Sequence, residues 1–236
     1  MKLLSVECSA TPCSVAISEN GKILASAFSN VKLTHSQTLM PMVESVLKSS
    51  LIDIKEIDAF AVSNGPGSFT GVRIGISAIK GMAQAKNLPC VEVSTLEAMA
   101  QNYSDTNCIV CAVMDARCNQ VYNGLFICKK GEITRLCEDR AMAIDDLKVE
   151  IKKLSKKRLP IYIVGDGAEI FYSHLTGIKN VCLASEHRRF QNAVGVSVVA
   201  EKELQNENVT TPAKLLPKYL RLPQAERELK RKEEQK

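Results

Sequence analysis

The stretch that decides the fold is GPGSFTG at residues 65–71, continued by VRIGISAIKGMA at residues 72–83. A buried-strand pattern at residues 57–64 enters this loop, and a helical pattern leaves it and extends to about residue 86. Glycines at such a turn allow backbone conformations that other residues resist, and the N–H groups of a helix N-terminus can bind phosphate.

The spacing in this loop leaves two interpretations open. One is an anion or nucleotide contact, whose candidate residues are Gly65, Gly67, Ser68 and Thr70. The other, which we favour, is a tight strand-to-helix turn in which Thr70 caps the helix. The loop matches neither of the common glycine-rich phosphate motifs, and no lysine follows at the required place.

The helix after the loop carries two rows of small residues. Gly71 and Gly75 form one row, and Ser77, Gly81 and Ala85 form the other. A glycine inside a helix costs about 1 kcal/mol relative to alanine, so the rows indicate that another backbone packs closely. The pattern does not say whether that backbone belongs to this chain or to a partner.

The order β-β-β-α-β-α occurs twice among the predicted elements of the chain, and a helix follows the second copy. This order predicts an α/β protein with two lobes, each a mixed sheet flanked by helices. We divide the chain into an N-terminal lobe at residues 1–104, a C-terminal lobe at 105–190, and a returning helix with a basic tail at 191–236. The predicted strands are residues 3–9, 14–18, 23–29, 57–64, 90–93, 108–115, 120–128, 132–137, 161–164 and 181–183, and the predicted helices are residues 35–48, 70–86, 96–102, 145–154, 167–175 and 193–205.

Composition narrows the class of protein. Hydrophobic residues are 45% and charged residues 24% of the 236, which is typical of a globular protein, and no apolar run is long enough for a membrane span. Nine cysteines without a secretory signal predict a reduced, cytoplasmic protein that uses most of its thiols in the core. Residues 214–236 hold eight basic and four acidic residues, a tail that either contacts RNA or is simply solvated.

The chain resembles the bacterial TsaB (YeaZ) family, which takes part in threonylcarbamoyladenosine synthesis on tRNA. The resemblance rests on the 65–83 stretch, with further matches at His35-Ser36, Asp115-Ala116-Arg117 and Pro217-Lys218-Tyr219-Leu220-Arg221. It implies a duplicated actin-like, RNase H-like (ASKHA) fold. The family has also been called peptidase M22-like, but the sequence supplies no peptidase residues.

The resemblance further implies a non-catalytic subunit that binds and activates the catalytic relative TsaD. The product would be N6-threonylcarbamoyladenosine (t6A) at position 37 of tRNAs that read codons beginning with A. TsaE would join the assembly, and the chain would contact tRNA only through the complex. When TsaD is absent, a second copy of the chain would cover the contact face and give a homodimer. No membrane contact is expected.

The partner face is predicted on the two helices at residues 35–48 and 70–86, whose apolar and small residues exceed what one core face needs. The alternative is that these positions face the chain's own sheet. The predicted interface residues are Leu39, Met42, Val43, Val46, Leu47, Gly71, Arg73, Gly75 and Ile79.

The alternative function is that of an actin-fold ATPase or a small-molecule kinase. The sequence lacks residues that such enzymes use to bind phosphate. Glu7 stands where such ATPases usually have aspartate, and residues 115–119 lack the glycines of a second phosphate loop. We therefore expect no stably bound cofactor, although a nucleotide at a subunit interface stays open. Asp115 and Arg117 are interpreted as a structural ion pair.

No metal site is expected from the sequence. TsaD binds its metal through two histidines four residues apart, and Ser94 and Ala98 occupy that spacing here. The three histidines, His35, His174 and His187, are far apart in sequence and lie in different predicted elements.

Overall fold

The computed structural model describes residues 1–221. Its first half forms a five-stranded sheet in the order β3-β2-β1-β4-β5. Strands β1, β2 and β3 are antiparallel neighbours, whereas β1, β4 and β5 run parallel. The elements are β1 (Lys2–Glu7), β2 (Cys13–Glu19), β3 (Lys22–Ser29), α1 (His35–Ser50), β4 (Ala59–Gly65), α2 (Phe69–Gln84), β5 (Cys90–Ser94) and α3 (Thr95–Ala100).

The second half forms another sheet, in the order β11-β10-β6-β7-β8, with β9 paired to β7. Again the first two strands, β6 and β7, are antiparallel, and β6, β10 and β11 run parallel. The elements are β6 (Cys108–Asp115), β7 (Gln120–Lys129), β8 (Glu132–Arg135), β9 (Arg140–Ala143), α4 (Ile144–Leu154), β10 (Ile161–Val164), α5 (Ala168–Ser173), β11 (Val181–Leu183), α6 (Glu186–Arg189) and α7 (Ala193–Gln205).

The two sheets have the same topology. In each, the third, second and first strands of the half are followed in space by its two later parallel strands. This repetition confirms the predicted fold class, a duplicated actin-like unit with two mixed sheets flanked by helices.

The first sheet is buried on both faces because its strands carry apolar residues at successive positions. Leu4 and Val6 of β1 pack with residues of α1 and α2, while Leu3 packs with Val196 of α7 on the opposite face. The helix α7 therefore covers the first sheet, although it follows the second sheet in sequence. The division at residues 104 and 190 stays a prediction, and the tail at 222–236 lies outside the described residues.

Most predicted elements are confirmed, with differences at their ends. Strand β9 was not predicted, and α4 begins at Ile144, one residue before its predicted start, with Ala143 at the N-cap. Asp145 lies in the first turn, where its charge favours the helix dipole. Among residues 1–221, no helix is long and apolar enough to cross a membrane.

Six of the nine cysteines are buried, which confirms their predicted use in the core, and all nine are free thiols. Cys118 and Cys182 are exposed instead. Cys108 and Cys111 of β6 belong to different core clusters, as strand alternation requires.

Candidate functional site

The loop at residues 65–71 packs directly on the turn that joins β1 to β2. A Cβ added at Gly67 would lie 2.3 Å from the carbonyl oxygen of Ser9, and one at Gly71 would lie 2.0 Å from that of Cys8. Both neighbours are backbone atoms that cannot move aside independently. Glycine is therefore required here for close packing within the chain.

Two backbone N–H groups of the loop are bonded within the protein. The Ser68 N–H donates to the Ser9 carbonyl (2.7 Å), and the Gly71 N–H donates to Ser68 Oγ (3.3 Å). The tight turn is thus the interpretation that the structure supports. The cap is Ser68, so the prediction of Thr70 as the cap is wrong; Thr70 is an exposed residue of the first turn.

A cleft of about 380 Å³ separates the two lobes beside this loop. Gly67 and Ser68 line it, whereas Gly65 and Thr70 do not. Two acidic residues, Asp115 and Asp166, face it from the second lobe, together with Arg117, which pairs with Asp115. The cleft therefore carries charges of both signs.

Glu7 is fully buried at the end of β1 and is not among the residues that line the cleft. Its Oε1 accepts a hydrogen bond from the Ser9 N–H (2.5 Å), and its Oε2 accepts none from residues 1–221. Burial raises the pKa of this carboxyl, since the charged form is poorly solvated. Glu7 therefore does not occupy a position from which it could hold a metal-bound phosphate in the cleft.

Asp115 and Arg117 form the predicted ion pair at the β6–β7 turn. Arg117 lies 3.2 Å from Asp115 Oδ2, and the Arg117 backbone N–H donates to Asp115 Oδ1 (2.8 Å). These contacts hold the turn closed, which confirms the structural interpretation.

A network of ionic contacts lies beside Ser94, one of the two positions that the resemblance compares with paired histidines. Ser94 caps α3 and donates to Asp139 Oδ2 (2.6 Å). Arg135 bridges Asp139 (2.5 Å) and Glu97 (2.6 Å). The polar side chains of this network are thus hydrogen-bonded or ion-paired with one another.

Asp166 carries the pH dependence that we expect of the cleft. Its pKa is raised from 3.8 to about 6, mainly by burial and also by the charge of Asp115, against the hydrogen bond from Gln191 Nε2 (2.7 Å) and the charge of Arg117, which lower it. A raised acid pKa means that the folded state keeps the proton longer, so stability is lost as pH rises from about 4 to about 6.

Replacing Asp166 by Asn removes this penalty and keeps the acceptor for Gln191. We expect Asp166→Asn to raise the free energy of unfolding at pH 7.5 by about 1–3 kcal/mol, and to change it little at pH 3.5. Urea unfolding at both pH values measures this, with the exposed Asp146→Asn as control. An equal effect at both pH values would contradict the assignment.

The predicted partner residues fall into two groups. Six of the nine face the chain's own core, because the apolar spacing of α1 and α2 serves the first sheet: Leu39, Val43, Val46, Gly71, Gly75 and Ile79. In the single chain these six positions pack on its own sheet, and their contact with a partner stays a prediction. Met42 and Leu47 are half-buried, and Arg73 is exposed.

The exposed face of α2 carries a shallow groove of about 430 Å³. Its lining residues are Phe69, Thr70, Arg73, Ile74 and Ser77. Tyr219 forms one end: its ring stacks on Phe69 with the centroids 4.4 Å apart, and its hydroxyl accepts a hydrogen bond from Arg73 Nε (2.6 Å). This surface combines aromatic, apolar and small residues with one cation, a composition common at protein interfaces.

A cluster that sequence reasoning missed lies beneath α2. Cys8, Cys13 and His35 bring two thiols and one imidazole together, with one ligand atom from each within 4.8 Å of the others. The sequence shows only that two cysteines flank a turn. His35 lies near them because of the tertiary fold.

Comparison with known proteins agrees with the two-lobed, actin-like class that the topology defines. Residues 22–229 match the family model described as TsaD: tRNA N6-adenosine threonylcarbamoyltransferase. The tRNA threonylcarbamoyladenosine biosynthesis protein TsaB of Bacillus subtilis is 29% identical over 96% of both chains. The TsaB of Buchnera aphidicola subsp. Schizaphis graminum is 31% identical over 70% of this chain and 78% of its own.

Solved structures agree with these sequence relatives. YeaZ from Pseudomonas aeruginosa superimposes with a TM-score of 0.76 at 26% identity, over 93% of this chain and 99% of its own. The chain therefore belongs to the threonylcarbamoyltransferase family that the model describes, and within it to the TsaB (YeaZ) family of tRNA threonylcarbamoyladenosine biosynthesis proteins.

Proposed function

We propose that the chain is a non-catalytic subunit that binds and activates TsaD for t6A formation at position 37 of tRNAs reading codons that begin with A. The observation that carries the proposal is the outer α2 face that lines the groove, on which Thr70, Arg73 and Ser77 are exposed and Tyr219 packs only at Phe69 and Arg73. Such a face presents apolar area whose removal from water favours association by about 25 cal/mol per Å², before association costs.

A subunit of this kind acts by holding its partner in an active arrangement. The α2 backbone is fixed from behind by Gly71 and Gly75, which pack against the β1–β2 turn and the first sheet. A partner helix laid along Arg73 and Ser77 would therefore meet a rigid surface. Rigidity on one side lowers the entropy lost on binding, and it stabilises one arrangement of the partner.

The catalytic alternative is weaker on the same evidence. In the interlobe cleft Asp115 is paired with Arg117, and the ionic network of Arg135 lies beside Ser94, one of the two positions that the resemblance compares with the paired histidines of the catalytic relative. An ATPase or kinase of this fold needs a phosphate cradle, and the loop's N–H groups at Ser68 and Gly71 are bonded within the chain.

The proposal extends to the other members of the assembly. In the absence of TsaD, a second copy would cover α2 and give a homodimer with self-complementary contacts. TsaE would join the TsaD-bound form, tRNA would be met through the complex, and any nucleotide would lie between subunits. With its reduced thiols, the assembly would work in the cytoplasm.

The test is the t6A content of tRNA, measured by mass spectrometry in cells that lack their own TsaB. We expect this chain to restore t6A when TsaD is present and to produce none when TsaD is depleted. Formation of t6A without TsaD would make the chain itself the enzyme. A well-expressed, folded chain that restores nothing would also contradict the proposal.

A further inference from the structure

The cluster beneath α2 is assembled from three separate elements. Cys8 follows β1, Cys13 begins β2, and His35 begins α1. The two sulfur atoms are 3.8 Å apart, and no disulfide joins them. In a tetrahedral zinc site with Zn–S bonds of about 2.3 Å, the two sulfurs are separated by about 3.8 Å. The thiols are thus already at the spacing that such a site requires.

The imidazole is held in the orientation of a metal ligand. His35 Nε2 lies 2.7 Å from the Ala10 carbonyl oxygen, which can only accept, so this nitrogen carries the proton and donates. The other nitrogen, Nδ1, is buried and has no partner in full hydrogen-bond geometry among residues 1–221, while the Cys13 sulfur is close enough to interact with the ring. Histidines that bind metals characteristically donate their second ring N–H to a backbone carbonyl or carboxylate, which leaves the first nitrogen's lone pair free.

The charges of the cluster balance when it binds a divalent cation. The thiolate is the form of cysteine that binds metals. Two thiolates and one divalent cation make a neutral group, which costs less to bury than an isolated charge.

We propose that Cys8 Sγ, Cys13 Sγ and His35 Nδ1 bind one Zn²⁺ ion, with the fourth position open to water. This proposal revises the expectation from the sequence that the chain holds no metal. The ion would tie the β1–β2 turn to the first turn of α1. Gly71 of α2 packs on the Cys8 carbonyl and the His35 ring, so the site lies at the base of both helices.

The test uses the full chain, reduced and treated with a chelator, and then titrated with Zn²⁺ or with Co²⁺ as a spectroscopic probe. We expect one tightly bound Zn²⁺ per chain, a higher melting temperature with zinc, and Co²⁺ absorption bands typical of tetrahedral thiolate coordination. Cys13→Ser and His35→Gln should each weaken zinc binding more than ten-fold.

Two controls separate this site from other thiols. The double variant Cys118→Ser/Cys182→Ser removes the exposed cysteines, and Cys108→Ala breaks a buried pair that has no histidine. Both should bind zinc like the wild type. If Cys13→Ser does not fold, half-buried His35→Gln and the wild-type Co²⁺ spectrum still decide the question.

Several results would overturn the proposal. The wild type could bind less than about one-tenth of an equivalent of Zn²⁺ after reduction. It could bind zinc equally well without His35, or lose zinc only in the exposed-cysteine double variant. A Co²⁺ spectrum without thiolate bands would exclude the two sulfurs as ligands.

Discussion

Gly71→Val should abolish cooperative folding, or lower the free energy of unfolding by more than about 3 kcal/mol. A Cβ at this position lies 2.0 Å from the Cys8 carbonyl oxygen and 3.1 Å from His35 Cδ2. The first neighbour is backbone of the β1–β2 turn, so relief requires α2 to move off the sheet. Urea unfolding followed by circular dichroism measures the loss.

Gly81→Val is the matched control in the same helix. No atom lies within 4 Å of a Cβ added there, so the substitution meets open space. Valine also has a higher helix propensity than glycine, and we expect the stability to stay the same or rise by a few tenths of a kcal/mol. Equal damage by both substitutions would show that the close approach at Gly71 is not the cause.

The fold was readable from the sequence because its signals are local. The glycines at 65, 67 and 71 and the buried-strand pattern at residues 57–64 are each set by residues close together in the chain. The repeated order of elements then fixes the topology, because parallel strands need helical crossovers. Strand β9 was missed because its four residues are all half-buried and show no alternation.

The sequence could not show which residues of the two predicted interface helices are exposed, for a physical reason. Apolar residues at helical spacing, such as Leu39 and Val43, look the same whether they meet the chain's own sheet or another protein. The structure shows that they meet the sheet, and it leaves Arg73 and Ser77 on the outer side of α2. Periodicity predicts that a helix has an apolar face, whereas the tertiary structure is needed to see what packs against that face.

The cysteine–histidine cluster could not be predicted from spacing. Cys8 and Cys13 are five residues apart across a turn, and His35 reaches them because α1 packs beside β2. Metal-site motifs that can be read from sequence keep their ligands close together in one or two elements. This cluster draws on three.

Reversing the charge at the centre of the α2 face should have the second largest effect. Arg73 is exposed and lines the groove, so Arg73→Glu leaves the core untouched while it breaks the hydrogen bond to Tyr219. Against a partner matched to a cation, the new carboxylate would be desolvated without a counter-charge. We expect TsaD binding to weaken at least ten-fold, which is about 1.4 kcal/mol or more.

Ser77→Arg tests the same α2 face by adding a large side chain to it. Ser77 is exposed in the groove, and a long side chain there would keep a partner helix from approaching the small-residue row. Lys152→Glu is the control for charge reversal: it lies exposed on α4 in the second lobe. The control should bind TsaD like the wild type, and all three variants should keep the melting temperature within a few degrees.

The most direct measurement is the dissociation constant between purified TsaD and this chain, obtained by titration calorimetry for the wild type and the three surface variants. Our account predicts a measurable complex for the wild type and Lys152→Glu, and binding weaker by at least ten-fold for Arg73→Glu and Ser77→Arg. A folded wild type that does not bind TsaD would contradict it. So would two α2 variants that bind as tightly as the wild type.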